Sequence, residues 1–475
     1  MSQTITIDPV TRLEGHGKIT IQLNSQGGVE SAHFHVTQVR GFERFCEGRP
    51  FYEMPGLMAR ICGICPVSHL IASAKACEAI MSVRIPHAAA QLRRMLNLAQ
   101  MVQSHALSFF YLSSPDLLLG METDPKIRNL IGLAAAKPEL ARTGIGLRRF
   151  GQSIIELLCA KRIHPGWVVP GGVTEPLSTD KREKILAMLP EAYAAINLAL
   201  EGYKQVADQF KAEIEVFANF PSSYLSLINE DESIEFTDGA LRLIDAKGVT
   251  LEDGMTASRF TEIIGEAVEP FSYTKFAYYK PLGYPDGCYR VGPLARLNII
   301  KTMGTPKAEK ELTEFKQLAA GPVSSSFHYH HARLIEILYG IEKIEEILAD
   351  PRILDTHVRA TAGVNRLEGA GQAEAPRGVL HHHYKVDDDG KMTWSNLVIA
   401  TGQNNNAMNR GVLQASRAYI KDGQFTEGIL NRIEAVVRTF DPCLSCSTHA
   451  AGQMPLQVLL LSAAGDIVDR VSRSN

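Results

Sequence analysis

The chain has 475 residues, 45% hydrophobic and 21% charged, with a net charge of −3. That length allows a large core or two to three average domains, and the near-neutral balance leaves no electrostatic footprint for nucleic acid or an anionic membrane. The polar start Met1-Ser2-Gln3-Thr4 has no apolar signal-peptide core, and no run of about 18 apolar residues exists to span a membrane. A cytoplasmic location is therefore expected, where thiols serve metals or chemistry rather than disulfides.

Apolar and polar residues alternate over 4–7, 18–23 and 29–39, with Asn24-Ser25-Gln26-Gly27-Gly28 as a turn, so residues 1–52 read as a small antiparallel β region. From Pro66 the period becomes helical, through Leu70, Ala74, Cys77 and Met81, and further helices are predicted over Ala88–Tyr111 and Gly146–Arg162. Residues 164–172 carry too many breakers for a regular element. A long helical stretch from about Asp180 to Phe217 is interrupted by Pro190 and closes a helical bundle over 53–221. Residues 222–305 read as a mixed insertion of short strands and loops. Helices return at 306–319 and 329–347, the stretch 376–411 reads as loop and short strand, and a helix near 427–439 leads to Asp441. The segment 306–449 ends there, and 450–475 form a C-terminal extension. The fold class is mainly α with small β-sheets (α+β), a central helical bundle holding a buried metal site.

Two of these segments carry CxxC pairs. One reads Cys62-Gly63-Ile64-Cys65-Pro66-Val67-Ser68-His69, the other Cys443-Leu444-Ser445-Cys446-Ser447-Thr448-His449. Two thiols two residues apart can address one metal, and two such pairs make a four-thiolate site. Zinc closed by four thiolates and an iron or iron–sulfur site are both compatible with that spacing. The near-full-chain separation of the pairs and the histidines and acidic residues beside them favour a larger metal assembly that clamps both ends of the protein. Pro66 suits the first turn of a helix, which puts the first pair at a helix N-terminus, where amides and dipole favour thiolate. The second pair is expected in coil.

These blocks, with Asp8-Pro9-Val10-Thr11-Arg12-Leu13-Glu14-Gly15-His16 at the start and Ala375-Pro376-Arg377-Gly378 late in the chain, resemble the large, catalytic subunit of a nickel–iron hydrogenase. The likeness is greatest to the soluble, bidirectional, NAD(P)-linked type and covers essentially the whole chain. The resemblance implies that Cys62 and Cys443 are terminal nickel ligands, that Cys65 and Cys446 bridge nickel to an iron carrying carbon monoxide and cyanide, and that Glu14 takes a proton from Cys443. It places Arg377, beside Pro376, over the open position, with Asp441 orienting it or a neighbouring peptide and Thr401 near a cyanide. It assigns Glu43 and His449 to magnesium and gives His69 a hydrogen bond to a bridging sulfur. The implied partners in a heteromultimer are a small iron–sulfur subunit plus diaphorase-type subunits with FMN and NAD(P). A maturation endopeptidase is implied to cut between His449 and Ala450. Ser104 departs from the pattern, because many relatives carry an aspartate there that pairs with the arginine. The alternatives are a non-catalytic H₂ sensor with the same site, and a structural zinc or complex I-like subunit.

Other motifs are discounted. His381-His382-His383 reads as a strand edge whose faces alternate, since consecutive residues cannot converge on one ion. Residues 327–331 open a helix, Gly369-Ala370-Gly371 lacks the strand–turn–helix setting of a dinucleotide loop, and Cys46, Cys77, Cys159 and Cys288 read as buried or surface thiols.

Overall fold

The computed structural model describes residues 3–448, 456–462 and 466–473. Gln3–Ile7, Gly17–Leu23 and Val29–Val36 form the expected antiparallel sheet in sequence order. Alternation decides its faces: Ile19, Ile21, Leu23, Phe34 and Val36 are buried while their neighbours are partly wet.

The bundle consists of helices Pro66–Met81, His87–Ala106, Pro138–Cys159, Thr179–Ala207 and Tyr329–Ala349. His87–Ala106 lies against both Pro138–Cys159 and Tyr329–Ala349. It runs on through a wider π-helical stretch, Leu107–Ser113. Pro190 does not interrupt its helix as expected. Thr179–Ala207 is continuous because Ile185, Leu189, Ala192, Ile196, Ala199, Leu200 and Tyr203 bury one face, which outweighs a lost backbone bond.

The insertion holds a four-stranded sheet, ordered Tyr289–Arg290, Ser223–Ile228, Ala240–Ile244, Thr250–Met255, over a separate core of Leu225, Leu227, Leu241, Leu243 and Phe260. The stretch 376–411 corrects the sequence reading. Glu368–Ala375, Gly378–Val386 and Met392–Val398 form an antiparallel sheet, followed by a 20-residue helix, Ala400–Tyr419. The three histidines therefore lie on the middle strand of that sheet, not at an edge.

Candidate metal centre

The sheet and the Pro66–Met81 helix together build the floor of the site. Gly371 touches that helix so closely that a Cβ would run into the Ala72 carbonyl and the Ala76 amide. Cys65 is the residue before Pro66 and caps the helix. From the other end of the chain, helix Glu427–Phe440 stops at Asp441, whose left-handed φ of 53° turns the backbone toward Cys443. Leu444–Ser447 is a short helix rather than the coil expected. The N-terminal loop ties this end down. Leu444 N donates to Glu14 O at 3.1 Å, and Thr11 N donates to Glu434 at 2.9 Å.

All four cysteine sulfurs lie within 4.8 Å of one another and all four residues are buried. The Sγ–Sγ separations are 3.4 Å for Cys62–Cys443, 2.8 Å for Cys443–Cys446 and 3.7 Å for Cys65–Cys446. Amides of Ile64 and Cys65 donate to Cys62 Sγ at 3.2 and 3.3 Å. Hydrogen bonds from the other three thiols hold Cys65 well below its ordinary value, while burial pushes Cys443 and Cys446 well above it. A metal bound by several thiolates supplies the charge that burial otherwise denies them. Among the described residues this is the one group with metal-ligating geometry.

Around it, Arg377 donates from Nε to Asp441 O at 2.5 Å and from Nη2 to Asp441 Oδ1 at 3.1 Å, and its Nη1 is buried with no protein partner. Burial works against the Arg377 charge, but Asp441 and the thiols of Cys443, Cys65 and Cys62 outweigh it and raise its pKa well above the usual value. Thr401 Oγ1 accepts the Cys443 amide at 3.0 Å. His69 meets His382 Nε2 through Nδ1 at 3.3 Å, and its own Nε2 is buried with no protein partner. The half-buried Glu14 carboxylate accepts the Ser445 amide at 3.1 Å and the Ser445 hydroxyl. Its carboxylate thus anchors the short helix that begins just after Cys443. Glu43 Oε1 accepts Leu397 N at 2.8 Å. Thr448 O accepts the amides of Arg40 and Gly41 at 2.8 and 3.3 Å, which brings the chain before His449 to the Glu43 segment. His449 and Ala450 lie outside the described residues.

The discounted histidines are not among the clustered ligands, although His382 reaches His69. His381 stacks on Phe260 at 4.4 Å, His382 bonds Tyr384 and His383 bonds Glu368. Cys46, Cys77, Cys159 and Cys288 are free, and burial raises each thiol, Cys46 to about 12.

A family model described as nickel-dependent hydrogenase matches residues 40–124 and 228–449, and one described as HoxL-like matches 4–39. The chain belongs to the nickel-dependent hydrogenase family. It is 40% identical to the beta chain of the NAD-reducing hydrogenase HoxS of Cupriavidus necator over the full length of both. It is 39% identical to a chain of the F420-non-reducing hydrogenase vhc of Methanococcus voltae, covering 95% of this chain and 96% of that one. A crystal structure of an NAD⁺-reducing [NiFe]-hydrogenase in the H₂-reduced state superposes with a TM-score of 0.91 at 44% identity, over 94% of this chain and 99% of that chain. The chain is thus a large, catalytic [NiFe]-hydrogenase subunit that carries a buried four-cysteine cluster of metal-ligating geometry. Relatives named as enzymes do not favour a non-catalytic sensor.

Three parts of this hydrogenase site escaped the sequence reading. Ser445 holds the Glu14 carboxylate. Arg333 is fully buried 5.5 Å from the Tyr329 ring, with all three guanidinium nitrogens unpartnered; burial lowers it to about 10 while Asp441 pulls the other way. Arg296 forms a buried cluster with Glu336, Glu374 and His105. A charged residue inside an otherwise apolar helical stripe, as in Leu294-Ala295-Arg296-Leu297, was the available signal.

Proposed function

We propose that this hydrogenase subunit works reversibly in a cytoplasmic, NAD(P)-linked complex, with Cys62 and Cys443 as terminal nickel ligands and Cys65 and Cys446 bridging to iron. The convergence of four soft thiols from both chain ends in one buried site carries this reading, because soft ligands suit nickel and iron. When bound, a nickel–iron pair whose iron carries carbon monoxide and cyanide supplies heterolytic cleavage and formation of H₂. Cys443 Sγ receives the proton and passes it to the Glu14 carboxylate, the half-buried acidic group that accepts the Ser445 amide beside the start of helix Leu444–Ser447. The orphan Nη1 of Arg377 fits an acceptor such as a cyanide nitrogen, and the guanidinium keeps its charge at any working pH. Asp441 and the backbone beside Pro376 orient that arginine. Thr401 holds the Cys443 amide and keeps its own hydroxyl proton for a cyanide. His69 sets the electron density of a bridging sulfur. Glu43, with His449, is read as a magnesium site of hard ligands.

Electrons leave through a partner, because no second metal-ligating group is found among the described residues. Diaphorase-type flavin and NAD(P) subunits, reached through a small iron–sulfur subunit, fill that role; the Cupriavidus relative is named as a subunit of an NAD-reducing hydrogenase. Residues 450–475 are read as a precursor extension cut after His449 by a maturation endopeptidase. The solved relative leaves a share of this chain about that size without a counterpart.

The test is purification with native partners, metal analysis, infrared spectroscopy and H₂-dependent NAD(P) reduction. Stoichiometric nickel, bands of iron-bound carbon monoxide and cyanide, and NAD(P) reduction are expected, with an intact mass lacking residues 450–475. Zinc without those bands overturns the site assignment, and a retained tail overturns the processing step.

A further inference from the structure

Arg377 hangs from a peptide that a second arginine holds. Arg296, on the helix Pro293–Ile299, is fully buried. A guanidinium has five N–H donors in one plane, and here all five are used. Nε and Nη2 donate to the two oxygens of Glu336, each at 2.7 Å. Nη1 donates to Glu374 Oε2 at 2.5 Å and to Ala375 O at 3.1 Å, and Nη2 also reaches Pro376 O at 3.2 Å. Two of the five acceptors are thus the carbonyls immediately before Arg377, and a planar fork fixes where they stand.

The other side of that peptide is closed as well. Gly292, with φ of 95°, lies so near that a Cβ would stand 2.6 Å from Arg377 O. Asn404 Nδ2 donates to Val291 O at 3.3 Å and its Oδ1 accepts Val291 N at 3.0 Å, which holds this neighbouring segment in place. Two carboxyl groups face the single Arg296 charge and the Glu336 carboxylate alone balances it, so Arg296 adds no net positive field at the thiols. Its influence is one of position. Position matters more here because Ser104 Oγ has no partner, and Asp441 is the one carboxylate that pairs with Arg377 among the described residues.

We propose that Arg296, clamped by Glu336 and Glu374, is the positioning residue that fixes the Arg377 guanidinium over the four-cysteine centre. This rests on the reading of Arg377 given above. A displacement of about 1 Å in such a group costs on the order of 100-fold in rate.

The test uses the whole enzyme with its native partners. R296K keeps the charge but replaces the fork with a point donor. It is expected to retain nickel, to lose about 100-fold in H₂ turnover, and to shift or double the infrared bands of iron-bound cyanide. The double variant R296K/R377K is expected to be no slower than R377K alone, because both act through one guanidinium. E374Q leaves the Glu336 fork intact and is expected to move the same bands less. Wild-type bands in R296K, multiplied losses in the double variant, or activity loss that tracks nickel loss in both R296K and E374Q overturn the proposal. An R377K enzyme with full turnover removes the reading of Arg377 itself, and this proposal with it, whereas a wild-type-like R296K beside an impaired R377K removes the proposal alone.

Discussion

At the scale of single residues, Glu14 and Glu374 are two carboxyls near one centre whose surroundings give them different tasks. Glu14 is half-buried, and its oxygens rest on the Ser445 amide and hydroxyl. E14Q keeps those bonds within reach but cannot accept a proton. Its H₂ oxidation rate should fall by about 100-fold or more, the contribution typical of a positioned proton acceptor, with nickel content unchanged. Normal turnover in E14Q would give the proton another exit. Glu374 is fully buried and its carboxyl is pushed up to about 7, by burial first and with Arg296 pulling against it. Arg296 does not win because Glu336 already claims two of its donors. A carboxyl raised on folding contributes stability that is complete below its ordinary 4.5 and is lost as pH rises through about 7. The melting temperature of the wild-type protein should therefore fall relative to E374Q between about pH 5 and 8. Parallel melting curves across that range would show Glu374 ionised throughout.

Among the elements, the contact of strand Glu368–Ala375 with helix Pro66–Met81 decides where Cys65 stands. Gly371 allows that contact by having no Cβ to strike the Ala72 and Ala76 backbone. G371A should separate strand and helix, cost on the order of 1–3 kcal/mol or more, and reduce bound nickel per chain. Full nickel loading with unchanged melting would show that the helix yields. The same contact explains what the sequence concealed. The cysteine motifs, the N-terminal sheet and the bundle helices were legible because periodicity or ligand spacing marks them. The 376–411 stretch was not. Strand Gly378–Val386 and its partner Glu368–Ala375 are buried on both faces over most of their length, so the period of two is lost, and glycines that serve close packing look like loop residues. Helix Ala400–Tyr419 is masked by Gln403 and Asn404–Asn406, which are buried and hydrogen-bond other segments: Gln403 donates to Val379 O and Asn405 to Thr274 O. Arg377 was legible through Ala375-Pro376-Arg377-Gly378. Arg296, its support, was not, because a lone arginine in an apolar helix has no motif and its acceptors come from distant parts of the chain.

For the whole molecule, the metal centre is a cross-link between termini. Cys62 and Cys443 are 381 residues apart in sequence, and their sulfurs stand 3.4 Å apart. Without metal the two pairs are joined by weak thiol contacts and by the bonds of the N-terminal loop to Leu444 and Glu434. With metal they become one covalently linked loop, and closing a loop of this length removes chain entropy worth about 6 kcal/mol from the unfolded state by the relation that describes long disulfide loops. Burial adds to the difference, since the apo site must hide thiols that burial drives toward neutrality, while the bound centre pairs them with cationic metal. The unfolding entropy of a chain this long makes each kcal/mol worth roughly 1 °C, so the metal-free protein should melt about 6 °C or more below the loaded one. Limited proteolysis should then cut the apo chain first near residues 441–448, the segment that the metal ties to the Cys62–Cys65 loop. Equal melting temperatures for both forms would mean that the packing of the N-terminal loop on helix Glu427–Phe440 closes the fold unaided, and that the metal binds a site already complete.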